Sequence, residues 1–140
     1  MKLNQSPLYY IHALNCRIEH EAETLLAADG RINYAQYKVL VAVAEADRSM
    51  VSAVAQWIGI SVPTASHLCH KLAGNGLLSI TSDGSDQRVK RLKTTSAGEQ
   101  VLAELTPKLE QAFERRLGGL SEAEMLSFMQ LSSKILEELS

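Results

Sequence analysis

Residues 51 to 70 read VSAVAQWIGISVPTASHLCH, and their spacing decides the fold. Small Ala55 stands at the fifth place of this stretch and Gly59 at the ninth, among apolar Val54, Ile58, Ile60, Ala65 and Leu68. Two helices that cross steeply need a small residue where their backbones come closest, and the tight turn between them favours a glycine at positive φ. The spacing therefore predicts a helix-turn-helix with those apolar residues facing inward. Its second helix is expected to open at Ser61, whose hydroxyl caps free backbone N–H groups, with Pro63 in the first turn where a missing donor does no harm. Helical periodicity gathers Ala65, Leu68 and Leu72 on one side, with Cys69 at its edge as a small core residue. Opposite fall Pro63, Ser66, His67 and His70, flanked by Thr64 and Lys71. Short hydrogen-bonding side chains with one cation suit the major groove of double-stranded DNA, where base edges offer donors and acceptors. The alternative is an amphipathic helical hairpin whose polar side is merely wet.

The residues that follow shift the balance. Residues 77 to 81, LLSIT, alternate and are rich in branched side chains, as a strand should be. Residues 82 to 86, SDGSD, have the composition of a turn, and residues 89 to 95, VKRLKTT, read as a second strand. A helix-turn-helix followed by a hairpin is a winged helix, here expected over residues 34 to 95, with Arg88, Lys90, Arg91 and Lys93 on the wing. The fold class is thus mainly α with a small β-hairpin.

Outward from this centre, residues 8 to 28 read as a long helix with a stripe of Ile11, Leu14, Ile18, Ala22 and Leu25. A second helix is expected from Asn33 or Tyr34 to about Ala46, with Tyr37, Leu40, Val41 and Ala44 inward. After the wing, Thr95 or Ser96 should cap a helix, Ser96 and Glu99 having the spacing of a capping box. Pro107 should kink that helix or restart it at Thr106, and Gly118-Gly119 should end it. Ser121 and Glu124 repeat the capping-box spacing ahead of a last helix carrying Met125, Phe128, Met129, Ser132, Ile135, Leu136 and Leu139 along one side. Residues 1 to 33 and 96 to 140 thus supply three apolar stripes that a winged helix alone cannot cover. They are expected to be dimerisation helices of one domain, residues 1 to 140, burying each other across a two-fold axis in a homodimer. The alternative is an intramolecular bundle.

The net charge of -2 is distributed unevenly. Residues 51 to 95 hold five Lys/Arg against two Asp/Glu, while residues 96 to 140 hold four against eight. Only one side of the molecule is therefore expected to approach phosphate. No stretch approaches the length of an apolar membrane span, and Cys16 and Cys69 make no disulfide framework, so a cytoplasmic protein is expected. No nucleophile, base and orienting group fall into a catalytic arrangement, and there is no phosphate-binding glycine loop or metal-ligand set. Neither an enzyme nor a cofactor is expected.

The helix-turn-helix, the Gly76-Leu77-Leu78 exit and the run Asp86-Gln87-Arg88 leading to Thr95 and Gly98 together resemble the multiple-antibiotic-resistance regulator (MarR) family of bacterial winged-helix transcription factors. The resemblance covers nearly the whole chain. It implies a dimeric regulator, more often a repressor than an activator, on a pseudo-palindromic operator. The helix from Ser61 would enter the major groove, Arg88 would reach a minor groove from the wing, and Asp86 would hold the wing's geometry. A guanidinium at a hairpin tip does suit the negative potential of a narrow groove. Ser61, Pro63, Thr64, Ser66, His67, His70, Lys71, Arg88, Lys90 and Arg91 are the candidate DNA contacts. Two positions depart from the family's pattern: Gln87 stands where many relatives have a second basic residue, and Thr94 where they usually have an apolar one.

The resemblance also implies release by a small-molecule effector, for which Tyr9, Tyr10, His12, Arg17 and Tyr37 are candidates, each with a bland reading as a packing residue. His12, Cys16 and His20 follow one another at four-residue steps. They permit a redox- or metal-responsive alternative, but His12 and His20 lie ~12 Å apart along a helix, too far to grip one ion. A winged-helix module that binds protein rather than DNA is the remaining alternative.

Overall fold

The computed structural model describes residues 2 to 139, apart from the side chains of Asp83 and Gln87. The departure noted at Gln87 falls on a side chain outside that set. The elements are α1 (Pro7–Asp29), α2 (Tyr34–Ala44), α3 (Val51–Ile58), α4 (Val62–Gly74), β1 (Leu78–Asp83), β2 (Asp86–Thr94), α5 (Ser96–Arg116) and α6 (Glu122–Leu139), with a short 3₁₀ turn at Leu3–Gln5 ahead of them. The chain divides into two compact units, Met1–Leu109 and Glu110–Ser140.

In the first unit, α3 and α4 pack on each other and both pack on α2, while the hairpin sits against α4 through β1 and against α2 and α3 through β2. The core holds Leu26, Val39, Leu40, Val54, Cys69, Leu72 and Leu105, all essentially sealed from solvent. Ser6 caps α1, its hydroxyl accepting from the Leu8 N–H at 3.3 Å. Asn33 and Gln36 form a full capping box at the start of α2. Of the expected α1 stripe, Ala22 is buried and Leu25 half-buried, but Ile11, Leu14 and Ile18 are exposed, and Leu26 rather than Leu25 fills the core.

The inner face of α2 also differs from the periodicity reading. Gln36, Val39, Leu40, Ala42 and Val43 are buried, Tyr37 and Val41 are half-buried, and Ala44 is exposed. A helix with neighbours on several sides has no single stripe, so counting by turns selects only one of its contacts. The connection from α2 runs through Asp47 at φ 53, a left-handed conformation that aspartate tolerates better than most residues.

The strands are longer than their compositions suggest. They pair antiparallel from Leu78↔Thr94 to Asp83↔Asp86, leaving Gly84 and Ser85 as the turn. Leu92 is buried and donates its N–H to the Ser49 carbonyl at 2.8 Å, tying the hairpin to the α2–α3 connection. Thr94 is buried in the last β2 position, so the departure there leaves the strand intact.

Helix α5 runs unbroken through Pro107, against the expectation of a restart at Thr106. Val101, Leu102, Leu105, Leu109 and Ala112 are buried along it. In the second unit, Ser121 and Glu124 do form the capping box: the Ser121 N–H donates to Glu124 Oε1 at 3.0 Å and the Glu124 N–H to Ser121 Oγ at 3.1 Å. Hydrogen bonding from the Ser121 backbone N–H, and after it from the Ser121 side chain, holds the Glu124 carboxyl below its ordinary pKa. No residue of α6 is buried. Among the described residues, no helix is long and apolar enough to cross a membrane.

Candidate nucleic-acid interface

Gly59 closes α3 at φ 83, a left-handed conformation that only glycine adopts without strain, and its N–H and that of Ile60 both donate to the Ala55 carbonyl. This turn sets α4 against α3 at the small side chain of Ala55, which is 2% exposed. Ser61 is the cap of α4. Its hydroxyl accepts from the Thr64 N–H at 3.3 Å and lies 2.7 Å from the Thr64 hydroxyl.

Ala65, Cys69 and Leu72 are the sealed face of α4, with Leu68 half-buried, so Cys69 is central rather than marginal. Burial pushes its thiol up to about 11, which keeps it protonated and unreactive. On the other face Ser61, Pro63, Thr64, His67, His70 and Lys71 are exposed and Ser66 is half-buried. One helix with its cap thus presents three hydroxyls, one of them half-buried, two imidazoles and an ammonium on one face, while its other face is committed to the core.

At the wing, Asp86 Oδ1 accepts both the Arg88 backbone N–H at 2.9 Å and the guanidinium Nε–H at 3.2 Å. The Arg88 side chain is nevertheless 93% exposed. Asp86 thus braces the base of a side chain whose far end stays in solvent, and so exposed a pair adds little stability. Lys90 Nζ donates to Ser82 Oγ across the strands at 2.9 Å, and Arg91 and Lys93 are exposed on β2. Periodicity assigns no role to Trp57 or Val62. Yet Trp57, near the end of α3, is 45% exposed and Val62, in the first turn of α4, is 50% exposed. A lone tryptophan on the outer side of a short helix was the available signal.

The candidate effector residues lie on two helices, four of them on α1 and Tyr37 on α2. Tyr9 and Tyr10 are exposed on α1 with rings edge to face at 5.2 Å, and Arg17 is exposed on the same helix. Tyr37 stacks on Tyr34 and shares a 2.8 Å hydrogen bond with the Thr106 hydroxyl. His12 Nε2 lies 3.6 Å from Cys16 Sγ, both exposed. His20 stands a further turn along, and among the described residues no three His, Cys, Asp or Glu side chains gather to hold a metal ion.

Known structures share this arrangement over nearly the whole chain. A MarR family transcriptional regulator from Silicibacter pomeroyi DSS matches with a TM-score of 0.87 at 19% identity, over 99% of this chain and 92% of that one. MepR from S. aureus, solved as a complex with DNA, matches with a TM-score of 0.77 at 20% identity, over 96% and 99%. BpsR from Bordetella bronchiseptica, solved to explain regulation of its DNA binding by 6-hydroxynicotinic acid, matches at 0.80 and 21%, over 96% of each chain. The fold is that of the MarR regulators. No family model matches the sequence.

In this MarR-type fold the residues that carry the resemblance act as joints. Thr95, not Ser96, caps α5: its hydroxyl accepts from the Gly98 N–H at 3.1 Å and donates to the Gly76 carbonyl at 2.6 Å. The Thr95 N–H adds a 3.2 Å bond to the Leu77 carbonyl. Gly98 lies so close to that carbonyl that any Cβ would overlap its oxygen. The exit of α4 and the start of α5 are therefore locked together at the root of the hairpin.

Proposed function

We propose that this chain is a sequence-specific, double-stranded DNA-binding transcriptional regulator that works as a homodimer, as a repressor released by a small-molecule effector. The observation that carries the reading is the outward polar face of α4, followed directly by a hairpin whose Arg88 is braced by Asp86 and almost fully exposed. Ser61 and Thr64 fix the helix start, where backbone N–H groups favour a phosphate. Ser66, His67, His70 and Lys71 are then the base readers. Arg88 reads a minor groove, and Lys90 and Arg91 meet the backbone. The likeness to MepR in complex with DNA and to a regulator controlled by 6-hydroxynicotinic acid supports both the DNA target and the effector.

The exposed apolar side chains on α1 and on α6 support pairing of two chains, since water-exposed stripes of this kind mark association surfaces. Pairing would present two α4 helices to successive major grooves of one pseudo-palindromic site. The test is a gel-shift titration with the DNA upstream of the protein's own coding region. Arg88→Ala is expected to weaken binding by about tenfold or more, equal to about 1.4 kcal/mol, with the dimer intact. Unchanged affinity would overturn the role given to the wing.

A further inference from the structure

The polar face of α4 is interrupted at its first turn. Val62, the first residue of the helix, is 50% exposed, and Pro63 beside it is exposed as well. Helical spacing sets Val62, Ser66 and His70 in one row at four-residue steps, and Pro63, His67 and Lys71 in the next. Two apolar side chains therefore head the rows that carry the candidate base readers. Both are stiff, because proline fixes its own φ and a branched β-carbon restricts the rotamers of Val62. The Ser61 cap, accepting from the Thr64 N–H, fixes the same turn. A contact made here costs little side-chain ordering.

An apolar group at this place has one natural counterpart in duplex DNA. The reading helix of such a motif meets base edges with its N-terminal residues, while the helix before it crosses the backbone. Base edges in the major groove present hydrogen-bond donors and acceptors, and only thymine adds a hydrocarbon group, its C5-methyl. A polar edge pressed against Val62 would lose water and gain no partner. From Ser61 to His70 there is also no Arg, Lys, Asn or Gln, the side chains that pair through two hydrogen bonds with guanine or adenine.

We propose that Val62 is a specificity-determining residue that packs against the C5-methyl of a thymine in each half-site, with Pro63 beside it. The assignment rests on the DNA-binding reading and adds to it the identity of one base pair. Removing one buried methyl group weakens binding by about fourfold, and removing it from both half-sites by about fifteenfold.

The test is a gel-shift titration of the full chain on duplexes selected from a random-sequence pool. Each thymine of the selected half-site is replaced in turn by deoxyuridine, which lacks the methyl and keeps every hydrogen-bonding group. At one thymine per half-site the doubly substituted duplex is expected to bind about fifteenfold more weakly. Val62→Ala should bring that ratio to within about twofold of unity with an unchanged melting temperature, since the residue it replaces is half exposed. Val62→Ile, which keeps the apolar contact, should retain the ratio. Trp57, the other exposed large apolar side chain of α3 and α4, lies on the helix that crosses the backbone, so Trp57→Ala should leave the ratio unchanged. A ratio that survives Val62→Ala, or one lost in Trp57→Ala, overturns the proposal. A chain that enriches a duplex but binds thymine and uracil alike at every position ends this assignment and leaves the DNA-binding reading standing, whereas a chain that enriches no duplex ends both.

Discussion

Helix α4 seals Ala65, Cys69 and Leu72 completely, whereas α6 leaves Phe128, Met129, Leu131, Ile135, Leu136 and Leu139 between 46% and 78% exposed. Both helices are amphipathic, and their stripes look equally regular in sequence. The difference teaches that a stripe marks the side of a helix that avoids water without stating what covers it. For α4 the cover is α2 and α3 in the same unit. For α6 we propose a second copy of the chain, because contiguous exposed apolar surface is otherwise a liability in a monomer.

The largest effect should separate these two helices. Leu72→Ala is expected to cost about 2–5 kcal/mol in urea unfolding at every protein concentration, since it empties a sealed position. Ile135→Ala should cost less than about 0.5 kcal/mol at high dilution, as exposed substitutions do, and more only where chains pair. Equal losses at high dilution would erase the comparison.

A smaller effect is expected at the joint between α4 and α5. Gly98→Ala forces a methyl group against the Leu77 carbonyl and should cost about 1–3 kcal/mol in the same measurement. A neutral result would mean that α5 is free to move away from the hairpin root.

The smallest effect concerns acid. Arg31 bonds Asp29 at 2.9 Å and Glu104 at 2.5 Å, holding both carboxyls below their ordinary range. Lowered folded-state values mean that the contribution is present above about pH 4 and lost as the pH falls through them. Arg31→Ala should therefore lower stability slightly at neutral pH and flatten the acid limb of a pH–stability curve. The groups are exposed, so the change is small.

Much of the fold was legible because its decisive residues are local. Ala55 and Gly59, the Ser61 cap, the polar face of α4 and the Ser121–Glu124 box each follow from spacing along a few turns. What was not legible depends on distant contacts. Ser96 and Thr95 are equally good caps by composition, and the choice is made by the Gly76 and Leu77 carbonyls, which only the folded chain brings near. Tyr37, Val41 and Ala44 matched a helical period, but Val39 and Val43 are buried instead because α2 has neighbours on several sides. The strands looked shorter than they are because the residues at their outer ends are polar.

The central claim is that two chains present α4 and the Arg88 loop to one duplex. Selection of duplexes from a random-sequence pool by the purified full-length protein tests it most directly. The account predicts enrichment of an inverted repeat whose half-site centres lie about 10 base pairs apart, or a multiple of it. Enrichment of an unsymmetrical sequence, or of none, would contradict it.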